Sequence, residues 1–252
     1  MSNLAAADLA LVVPVYNEAA RFDRDAFMGF LTDNPQTHCC FVDDGSTDGS
    51  RALLDALQQQ SDGRITALAL PANRGKAEAV RHGVAHCLQS ACGFVGFADA
   101  DLSAPLDQLA LLRRELDGHP AAWAAFGSRV KLLGRDVVRS ERRHYLGRLF
   151  ATCASLALAL PVYDTQCGLK LFRNVDAVRR TFDRPFVSRW IFDVEILARL
   201  AQEAGGATAQ RVREVPLECW RERGGSRLGP LDFLRAPAEL RRIRRQYGRA
   251  TA

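Results

Sequence analysis

Short apolar runs that alternate with amphipathic stretches constrain the fold of this 252-residue chain more than any other feature. Strand and helix alternating at this spacing predict a mostly parallel α/β sheet with helices on both faces. The predicted strands are 9–13, 39–42, 65–70, 94–98 and 122–127, and the predicted helices between them are 19–31, 47–59, 76–89 and 105–116. Ligands of such sheets bind beyond the carboxyl ends of the strands, so the residues that follow each strand are candidates for function.

Carboxylates follow two of these strands. Asp99 and Asp101 come directly after the run 94–98, and we expect them to face a crevice because a buried strand does not tolerate unpaired carboxylates. Two acids around one residue can hold a hard cation such as Mg²⁺ or Mn²⁺, with a substrate's phosphates completing the shell. An Asp-rich turn is the plainer alternative. Asp43 and Asp44 follow the second strand, where an acid can accept hydrogen bonds from a nucleotide's base or ribose.

Two common nucleotide-binding motifs are absent. The segment 73–76 places basic groups near the same predicted edge of the sheet. Leu70 stands where a P-loop needs glycine, and Ala77 stands where it needs Ser or Thr. The chain also contains no GxGxxG. P-loop NTPase chemistry and ordinary dinucleotide binding therefore lose support.

The middle of the chain is rich in arginine. A solvated basic helix explains this stretch, and a set of guanidinium groups that binds a phosphorylated acceptor is the alternative. The apolar stretch 145–160 that follows predicts a helix, either in the core or along a lipid route. The arginines concerned are Arg129, Arg135, Arg139, Arg142, Arg143 and Arg148.

Two acids in a later predicted helix differ in their surroundings. Asp193 shares one helical face with Trp190 and Leu197, so we expect it to be half-buried and to need a partner. Glu195 lies roughly opposite, with Arg199 one turn away, and the two can form a plain surface pair.

Composition and the ends of the chain bound the cellular setting. The seven cysteines are odd in number and scattered, which indicates reduced thiols in a cytoplasmic protein. We expect no signal peptide and no membrane-spanning helix. The net charge of +5 permits an anionic partner without identifying it, and we expect no nucleic acid. The tail predicts a basic amphipathic helix, broken near Pro237, that either docks on the protein or lies on an anionic membrane.

Taken together, the motifs resemble the inverting family 2 glycosyltransferases of the GT-A fold. The second half is similar to the polyprenyl-phosphate branch of that family, with the dolichyl-phosphate β-glucosyltransferases most similar and the mannosyltransferases next. The motifs that carry the resemblance are 14–18 (PVYNE), 42–48 (VDDGSTD), 73–76 (NRGK), 99–102 (DADL), 127–129 (GSR), 164–172 (DTQCGLKLF), 190–195 (WIFDVE) and 225–228 (GSRL). Many relatives of the glucosyl branch carry a membrane anchor, and none is visible in this sequence.

The resemblance implies a role for individual residues. Those implied to bind the nucleotide-sugar are Pro14, Tyr16, Glu18, Asp43, Asp44, Lys76, Asp99 and Arg227. Asp99 and Asp101 would hold Mg²⁺ or Mn²⁺. Those implied to receive an acceptor phosphate are Arg129, Arg139, Arg142 and Arg143. The catalytic candidates are Asp101, Arg129 and Asp193, and Asp193 or Glu195 would serve as the base if the acceptor were a hydroxyl.

The implied activity is metal-dependent, inverting transfer of a sugar from a nucleotide-sugar to a polyprenyl phosphate. Glucose from UDP-glucose is the sugar that the resemblance favours. Use of GDP-mannose or of a hydroxyl acceptor stays open, and so does a non-catalytic module that binds nucleotide-sugars or anionic surfaces. We expect one GT-A domain over residues 1–228 and the basic helical tail over 229–252. The tail would place a cytoplasmic protein peripherally at the membrane face. The sequence leaves the sugar, the acceptor's chain length, the choice between Mg²⁺ and Mn²⁺ and the oligomeric state open.

Overall fold

The computed structural model describes residues 3–223 and 230–248. Its strands are β1 (Leu9–Val15), β2 (Thr37–Asp43), β3 (Ile65–Ala69), β4 (Phe94–Ala98), β5 (Ala124–Ser128), β6 (Asp136–Val138), β7 (Leu169–Arg173), β8 (Val212–Pro216) and β9 (Cys219–Arg221). Its α-helices are α1 (Arg24–Asp33), α2 (Ser50–Gln59), α3 (Lys76–Leu88), α4 (Leu109–Gly118), α5 (Glu141–Leu158), α6 (Asp176–Phe182), α7 (Phe192–Ala204), α8 (Thr208–Arg211) and α9 (Pro230–Tyr247). Short 3₁₀ turns occur at Asn3–Ala6 and Leu106–Gln108.

The main sheet has seven strands in the order β3-β2-β1-β4-β7-β5-β8. β1 pairs in parallel with both β2 and β4, β2 pairs in parallel with β3, and β5 pairs in parallel with β8. A separate two-stranded sheet joins β6 and β9. The predicted strands and the mostly parallel α/β class are thus confirmed. The small sheet was not predicted, because its strands are only three residues long.

The chain divides into two compact units. The first unit comprises Met1–Leu102 and Leu171–Pro185, and the second comprises Ser103–Lys170 and Phe186–Ala252. In the first unit β2 is buried at every position, as expected for a strand covered on both faces. α3 packs closely on the sheet at Gly83, where an added Cβ would collide with the side chains of Val12 and Val42. Glycine at this point lets the helix approach the strands that carry the site loops.

The helix after β1 begins later than predicted. It starts at Arg24 rather than at residue 19, and Asp23 caps it by accepting a hydrogen bond from Ala26 N–H at 3.0 Å. Ala19 instead contacts the loop after β2, where its backbone N–H donates to Asp48 and to Ser50. The predicted start was wrong because contacts between segments about thirty residues apart decide it, and local periodicity carries no information on such contacts.

The tail helix is continuous and docked. α9 runs through Pro237 without a break, contrary to the prediction. It packs against α5 and α7 in the second unit and buries Ala236, Leu240 and Ile243. Proline removes one backbone donor from the helix, but the burial of apolar side chains on either side of it holds the helix together. Of the two alternatives for the tail, docking on the protein is the one that the structure contains.

The docked tail also explains a wrong prediction about Glu195 and Arg199. The side chain of Glu195 is fully buried and that of Arg199 is 4% exposed, so the pair is not on the surface. Arg199 Nη2 donates to Glu195 Oε1 at 2.7 Å, and the hydroxyl of Tyr247 donates to the same oxygen at 2.8 Å. Near the middle of α9, the Ser188 hydroxyl donates to Glu239. These contacts fasten the tail helix to the start of α7 and the segment before it.

The structure bears on two further predictions, the reduced thiols and the absence of a membrane-spanning helix. All seven cysteines are free thiols, as expected for a reduced protein. Among residues 3–223 and 230–248, none of the helices combines the length and the apolar character that crossing a bilayer requires.

Candidate active site

Hydrogen bonds join the loop after β1 to the loop after β2. Asn17 N–H donates to Ser46 Oγ at 3.0 Å, and Thr47 N–H donates to Asn17 Oδ1 at 2.8 Å. Glu18 N–H donates to Ser50 Oγ at 2.8 Å. The backbone of the predicted nucleotide-binding segment after β1 is thereby held against the loop that follows β2.

The two acids after β2 have different hydrogen-bond partners. Asp43 accepts the N–H of Ser46 at 3.0 Å and so closes the turn. Asp44 is 3% exposed and accepts the N–H of Arg74 at 2.7 Å on Oδ1 and the N–H of Gly75 at 2.8 Å on Oδ2. Asp44 therefore ties the segment that precedes α3 to the end of β2. Its direct contact with a nucleotide stays a prediction.

Gly45 is required where the turn after β2 meets that segment. Its φ of +68° lies in the left-handed region, which side chains disfavour. A Cβ on Gly45 would also stand 2.6 Å from the carbonyl carbon of Ala72. Both the backbone conformation and the lack of space exclude a side chain here, and the two loops can lie tightly together as a result.

Asp99 lies beside the ammonium group of Lys76, the first residue of α3. Asp99 Oδ1 and Lys76 Nζ form an ion pair, and this oxygen is shielded from solvent without accepting a regular hydrogen bond. Carboxylate oxygens are ligands that suit Mg²⁺ or Mn²⁺. In the part of the chain that the structure describes, no group of three or more His, Cys, Asp or Glu could hold a metal by itself. A metal at Asp99 and Asp101 would need further ligands, such as the oxygens of a bound diphosphate, and the assignment of these two acids as its ligands stays a prediction.

Arg21, in the loop after β1, pairs with Glu18 and experiences the charge of Asp101. Its Nη2 donates to Glu18 Oε1 at 2.6 Å. The hydrogen bond with Glu18 raises the pKa of Arg21 against the lowering effect of burial, and the charges of Glu18 and Asp101 raise it further. Two acids that follow neighbouring strands thus act on one guanidinium group. The sequence did not identify Arg21, because a single arginine in a polar loop carries no distinguishing pattern.

The strand register brings the first unit's acids to one edge. Val15 stands opposite Asp43 in the β1–β2 pair, and Val12 stands opposite Phe97 in the β1–β4 pair. Asp43 and Asp99 therefore lie at the carboxyl ends of the two strands that flank β1. The expectation that these acids share an edge of the sheet is confirmed, while their individual roles stay predictions.

In the second unit, Asp164 holds Arg129 in a bidentate ion pair. Arg129 donates from Nε to Asp164 Oδ2 at 2.6 Å, from Nη2 to Oδ1 at 2.8 Å and from its backbone N–H to Oδ2 at 3.0 Å. The two side chains are 13% and 10% exposed. Burial by itself would raise the pKa of Asp164, but the charge and hydrogen bonds of Arg129 outweigh it and hold that pKa well below the usual range. The guanidinium plane is therefore fixed by a partner that is ionised at neutral pH.

Glu214, which the sequence did not single out, supports this pair from β8. Its Oε1 accepts the N–H of Asp164 at 2.5 Å and the hydroxyl of Ser128 at 3.0 Å, and its Oε2 accepts the N–H of Tyr163 at 2.8 Å. Burial raises the pKa of Glu214 above its ordinary value despite these bonds. The signal that could have identified it is an acid inside the stretch 211–215, which the sequence predicts as a late strand, because a carboxylate in a strand needs internal donors.

The other arginines predicted for an acceptor phosphate lie at the start of α5 or before it. The charge of Arg139 contributes to the low pKa of Asp164. Its Nη2 would be 2.6 Å from a Cβ added at Gly147, so its guanidinium lies against α5. Arg142 and Arg143 fall within α5, but their side chains lie outside the described part of the structure. Arg227 and the GSRL motif around it fall outside the described residues altogether.

A cavity of about 320 Å³ lies between α5 and residues 161–163. The guanidinium carbon of Arg148 stands 3.7 Å from the centroid of the Tyr163 ring on its wall. The remaining lining is Ala151, Thr152, Ser155, Leu156, Pro161 and Val162. The cavity thus combines one cation with a wall of mixed polar and apolar residues, and its residue Tyr163 directly precedes Asp164.

Asp193 has the partner that its position predicts. Its Oδ1 accepts from Lys170 Nζ at 2.5 Å, and the same ammonium donates to the Cys167 carbonyl at 2.6 Å. Lys170 is fully buried and stands 5.0 Å from the centroid of the Phe126 ring. The geometry is that of a structural ion pair at the start of α7. The assignment of Asp193 as a catalytic base stays a prediction.

Comparisons with known proteins agree with the motifs. Residues 10–176 match the family described as Glycosyl transferase family 2. The Mus musculus protein named dolichyl-phosphate β-glucosyltransferase is 33% identical over 254 residues, which cover 95% of this chain and 75% of that relative.

Solved structures support the fold. The mannosyltransferase PcManGT from Pyrobaculum calidifontis, in complex with GDP-Man and Mn²⁺, is 22% identical with a TM-score of 0.58, and the match covers 87% of this chain but 58% of that one. Glucosyl-3-phosphoglycerate synthase from Mycobacterium tuberculosis, in complex with Mn²⁺, UDP-glucose and phosphoglyceric acid, is 18% identical with a TM-score of 0.62, and the match covers 95% of this chain and 78% of that one. At these identities the structures establish the GT-A fold. With the family match and the mouse relative beside them, they show that the chain belongs to glycosyl transferase family 2.

Proposed function

We propose that this protein transfers glucose from UDP-glucose to the phosphate of a polyprenyl phosphate, with inversion at the anomeric carbon. The similarity to dolichyl-phosphate β-glucosyltransferase, 33% identical over 95% of this chain, is the observation that carries the proposal. The site residues support it, because the acids and basic groups needed for a nucleotide-diphosphate donor occur together in the first unit. Arginines suited to a phosphorylated acceptor occur in the second.

The donor is held by the loops after β1, β2 and β4. Asp43 is proposed to accept hydrogen bonds from the nucleotide, on a turn that Gly45 keeps close to the segment before α3. Lys76 and Arg21 supply positive charge to the diphosphate, and the positive end of the α3 dipole adds to it. Asp99 and Asp101 would hold Mg²⁺ or Mn²⁺, and the metal when bound neutralises charge on the leaving diphosphate. Lys76 now pairs with Asp99 and would then be released to a phosphate oxygen.

The acceptor needs no general base. A phosphate monoester has a second pKa of about 6 and is largely dianionic at neutral pH. Its oxygen forms the new bond to the anomeric carbon while the bond from that carbon to the diphosphate oxygen breaks, so that the nucleoside diphosphate leaves with the bonding electrons. Arg129, held in one orientation by Asp164, is proposed to position the attacking phosphate. Asp193 has no proton to remove in this scheme, which agrees with its buried pairing to Lys170.

The proposal is tested with purified protein, radiolabelled UDP-glucose, a detergent-dispersed polyprenyl phosphate and either Mn²⁺ or Mg²⁺. We expect label to enter a butanol-extractable product that mild acid releases as glucose, as for a glycosyl phosphodiester. GDP-mannose in place of UDP-glucose tests the donor, and an unphosphorylated polyprenol tests the acceptor. Equal labelling of the polyprenol would reject the phosphate acceptor and return Asp193 to the position of candidate base. Absence of transfer with intact UDP-glucose binding would reject catalysis in favour of a binding module.

A further inference from the structure

Exposed hydrophobic side chains are concentrated in one part of the second unit. Among the residues whose side chains are described, every large hydrophobic side chain that remains exposed falls between residues 132 and 156. Leu133 is fully exposed, and Leu149 and Leu156 are 64% and 69% exposed. The set, which we call the 132–156 surface, is Leu132, Leu133, Val138, Tyr145, Leu146, Leu149 and Leu156. A large apolar patch on a soluble protein marks a site of interaction.

The helix α5 supplies an apolar stripe on the side that faces solvent. Tyr145, Leu149 and Leu156 are spaced four and seven residues apart and so lie on one helical face. The opposite face of α5 carries buried Ala154 and Leu158. Among its described side chains, α5 therefore carries apolar residues on two faces, and those of the inward face are buried in the second unit.

Basic residues are frequent in the same stretch of the sequence. Residues 129–148 contain seven Arg or Lys and only two acids, which gives a segment charge of +5, equal to the net charge of the whole chain. Lys131 is exposed beside Leu132 and Leu133, and Arg148 lies between Leu146 and Leu149 on α5. Cations interleaved with exposed leucine and tyrosine are typical of helices and loops that lie in the interface of an anionic bilayer.

In the other basic amphipathic segment, the tail helix, the leucine and isoleucine side chains that the structure describes, within 235–247, are buried. Its Ala236, Leu240 and Ile243 are 5%, 5% and 1% exposed because they pack on the second unit. Its arginines alone would give weak, salt-sensitive attraction to a membrane without insertion. The 132–156 surface is therefore a better candidate for membrane contact than the tail helix.

We propose that the 132–156 surface docks this protein on an anionic phospholipid bilayer, with leucines in the headgroup region and with Lys131 and other basic residues of the same segment on the lipid phosphates. The inference extends the proposed function, since a polyprenyl phosphate resides in a membrane. The cavity between α5 and residues 161–163 lies on the same helix and brings Leu156 and Arg148 together. A docked α5 would leave the acceptor's phosphate near the arginines of the second unit.

The test is co-sedimentation of the full chain with vesicles. Wild type is expected to bind vesicles of phosphatidylcholine with 30% phosphatidylglycerol and to bind pure phosphatidylcholine weakly. The double variant Leu133→Asn/Leu149→Asn should bind the anionic vesicles about a hundredfold more weakly, roughly tenfold per leucine. The matched control Arg244→Glu/Arg245→Glu, on the exposed side of α9, should retain most of the binding. Strong loss in the tail variant with normal binding in the leucine variant would overturn the proposal.

Two further measurements separate the alternatives. Molar mass in solution by light scattering tests whether the 132–156 surface instead joins two copies of the chain; a dimer that dissociates in Leu133→Asn/Leu149→Asn would overturn membrane docking. Transfer to a detergent-dispersed acceptor should be unchanged in the leucine variant, and transfer to a vesicle-embedded acceptor should fall. A wild type that binds vesicles but transfers nothing would reject the proposed function while leaving the docking surface in place.

Discussion

Arg129 and Asp164 are joined by two side-chain hydrogen bonds, at 2.6 and 2.8 Å, in a setting where both side chains are nearly buried. The pair gives a cation to the acceptor side of the proposed reaction and fixes its direction. It also fastens the end of β5 to the segment before β7. Because the pair is proposed to act both in transfer and in holding the fold together, its two residues can be tested separately for activity and for stability.

Replacing Arg129 by alanine should spare donor binding and impair transfer. Loss of the positioning cation is expected to lower kcat with the prenyl phosphate about a hundredfold. The affinity for UDP-glucose, measured by calorimetry, should change less than about threefold because no nucleotide contact is proposed for Arg129. Arg113→Ala is a matched control, since Arg113 forms a comparable pair with Asp117 on the exposed face of α4. Equal loss of donor binding and transfer in Arg129→Ala would remove its acceptor role.

The stability that Asp164 contributes should disappear at low pH. Its pKa in the folded protein is held well below the value of about 3.9 for an unfolded aspartate. The contribution is therefore complete above pH ~5 and declines as the pH falls below about 4 toward the folded-state pKa. We expect Asp164→Asn to lower the free energy of unfolding at pH 7 by about 3 kcal/mol, since it leaves Arg129 nearly buried without a counter-charge.

Urea denaturation from pH 7 to pH 3 measures this effect. The difference between wild type and Asp164→Asn should be constant down to pH ~5 and then shrink. A difference that grows on acidification would mean that Asp164 is not ionised by Arg129 in the folded state.

Asp101→Asn should abolish metal-dependent binding of the diphosphate while leaving the fold intact. Wild type is expected to bind UDP more tightly in Mn²⁺ than in EDTA, and the variant should lose that difference. Turnover should fall by about a hundredfold or more. Asp25→Asn serves as the control, because Asp25 is exposed in the first turn of α1. Calorimetry with UDP and circular dichroism check the two outcomes, and near-normal activity in EDTA would contradict the metal-dependent scheme.

The parts of the fold that the sequence predicts are those that depend on neighbouring residues. β4 was placed at its observed bounds because five successive apolar residues end at two acids. The start of α1 and the continuity of α9 were missed, because hydrogen bonds and packing from distant segments decide them. Glu195 was misplaced for the same reason: its surroundings depend on Tyr247, which is 52 residues away in the sequence.

The site divides in the same way. The positions of Asp43, Asp99 and Lys76 at the ends of strands or the start of a helix could be predicted from their motifs, and their roles stay predictions. The partners that orient the site could not. Asp164 binds a guanidinium 35 residues away, and Glu214 braces the backbone N–H of Asp164 from 50 residues further along the chain. The pattern of a single sequence does not show which distant residues pair, so these contacts became visible only in the folded structure.

His38 should make the protein less stable as the pH falls from neutral. Its side chain is buried in β2, Nε2 lies 2.9 Å from the Thr66 hydroxyl, and Nδ1 has no hydrogen-bond partner among the described residues. Burial, with a smaller effect from the charge of His86, lowers the pKa of His38 to about 4. The unfolded chain binds this proton at pH ~6.5, so the stabilising contribution is complete above pH ~6.5 and lost between there and pH 4, up to roughly 3 kcal/mol.

The replacement His38→Gln keeps a donor for Thr66 and removes the titration. Its free energy of unfolding should vary less between pH 7 and pH 4.5 than that of wild type. His119→Gln, at an exposed histidine, should reproduce the wild-type slope. A His38→Gln slope equal to that of wild type would show that His38 is protonated in the folded protein.

The buried pair Lys170–Asp193 should show strong coupling in a double-mutant cycle. Lys170 is fully buried, and its ammonium is held by Asp193 at 2.5 Å and by the Cys167 carbonyl. Lys170→Met leaves a buried carboxylate without a cation and should cost about 3–5 kcal/mol, and Asp193→Leu should cost a similar amount for the opposite reason. Lys170→Met/Asp193→Leu removes both charges and should be more stable than either single variant, because neither charge is then left unpaired.

The cycle also decides whether Asp193 takes part in the reaction. Turnover is measured on whichever variants remain folded, with stability followed by urea denaturation. If the pair is purely structural, the double variant should keep kcat within about tenfold of wild type. Additive losses of stability would show that the two groups do not interact. A folded double variant with kcat reduced a thousandfold would restore Asp193 as a catalytic residue and favour a hydroxyl acceptor.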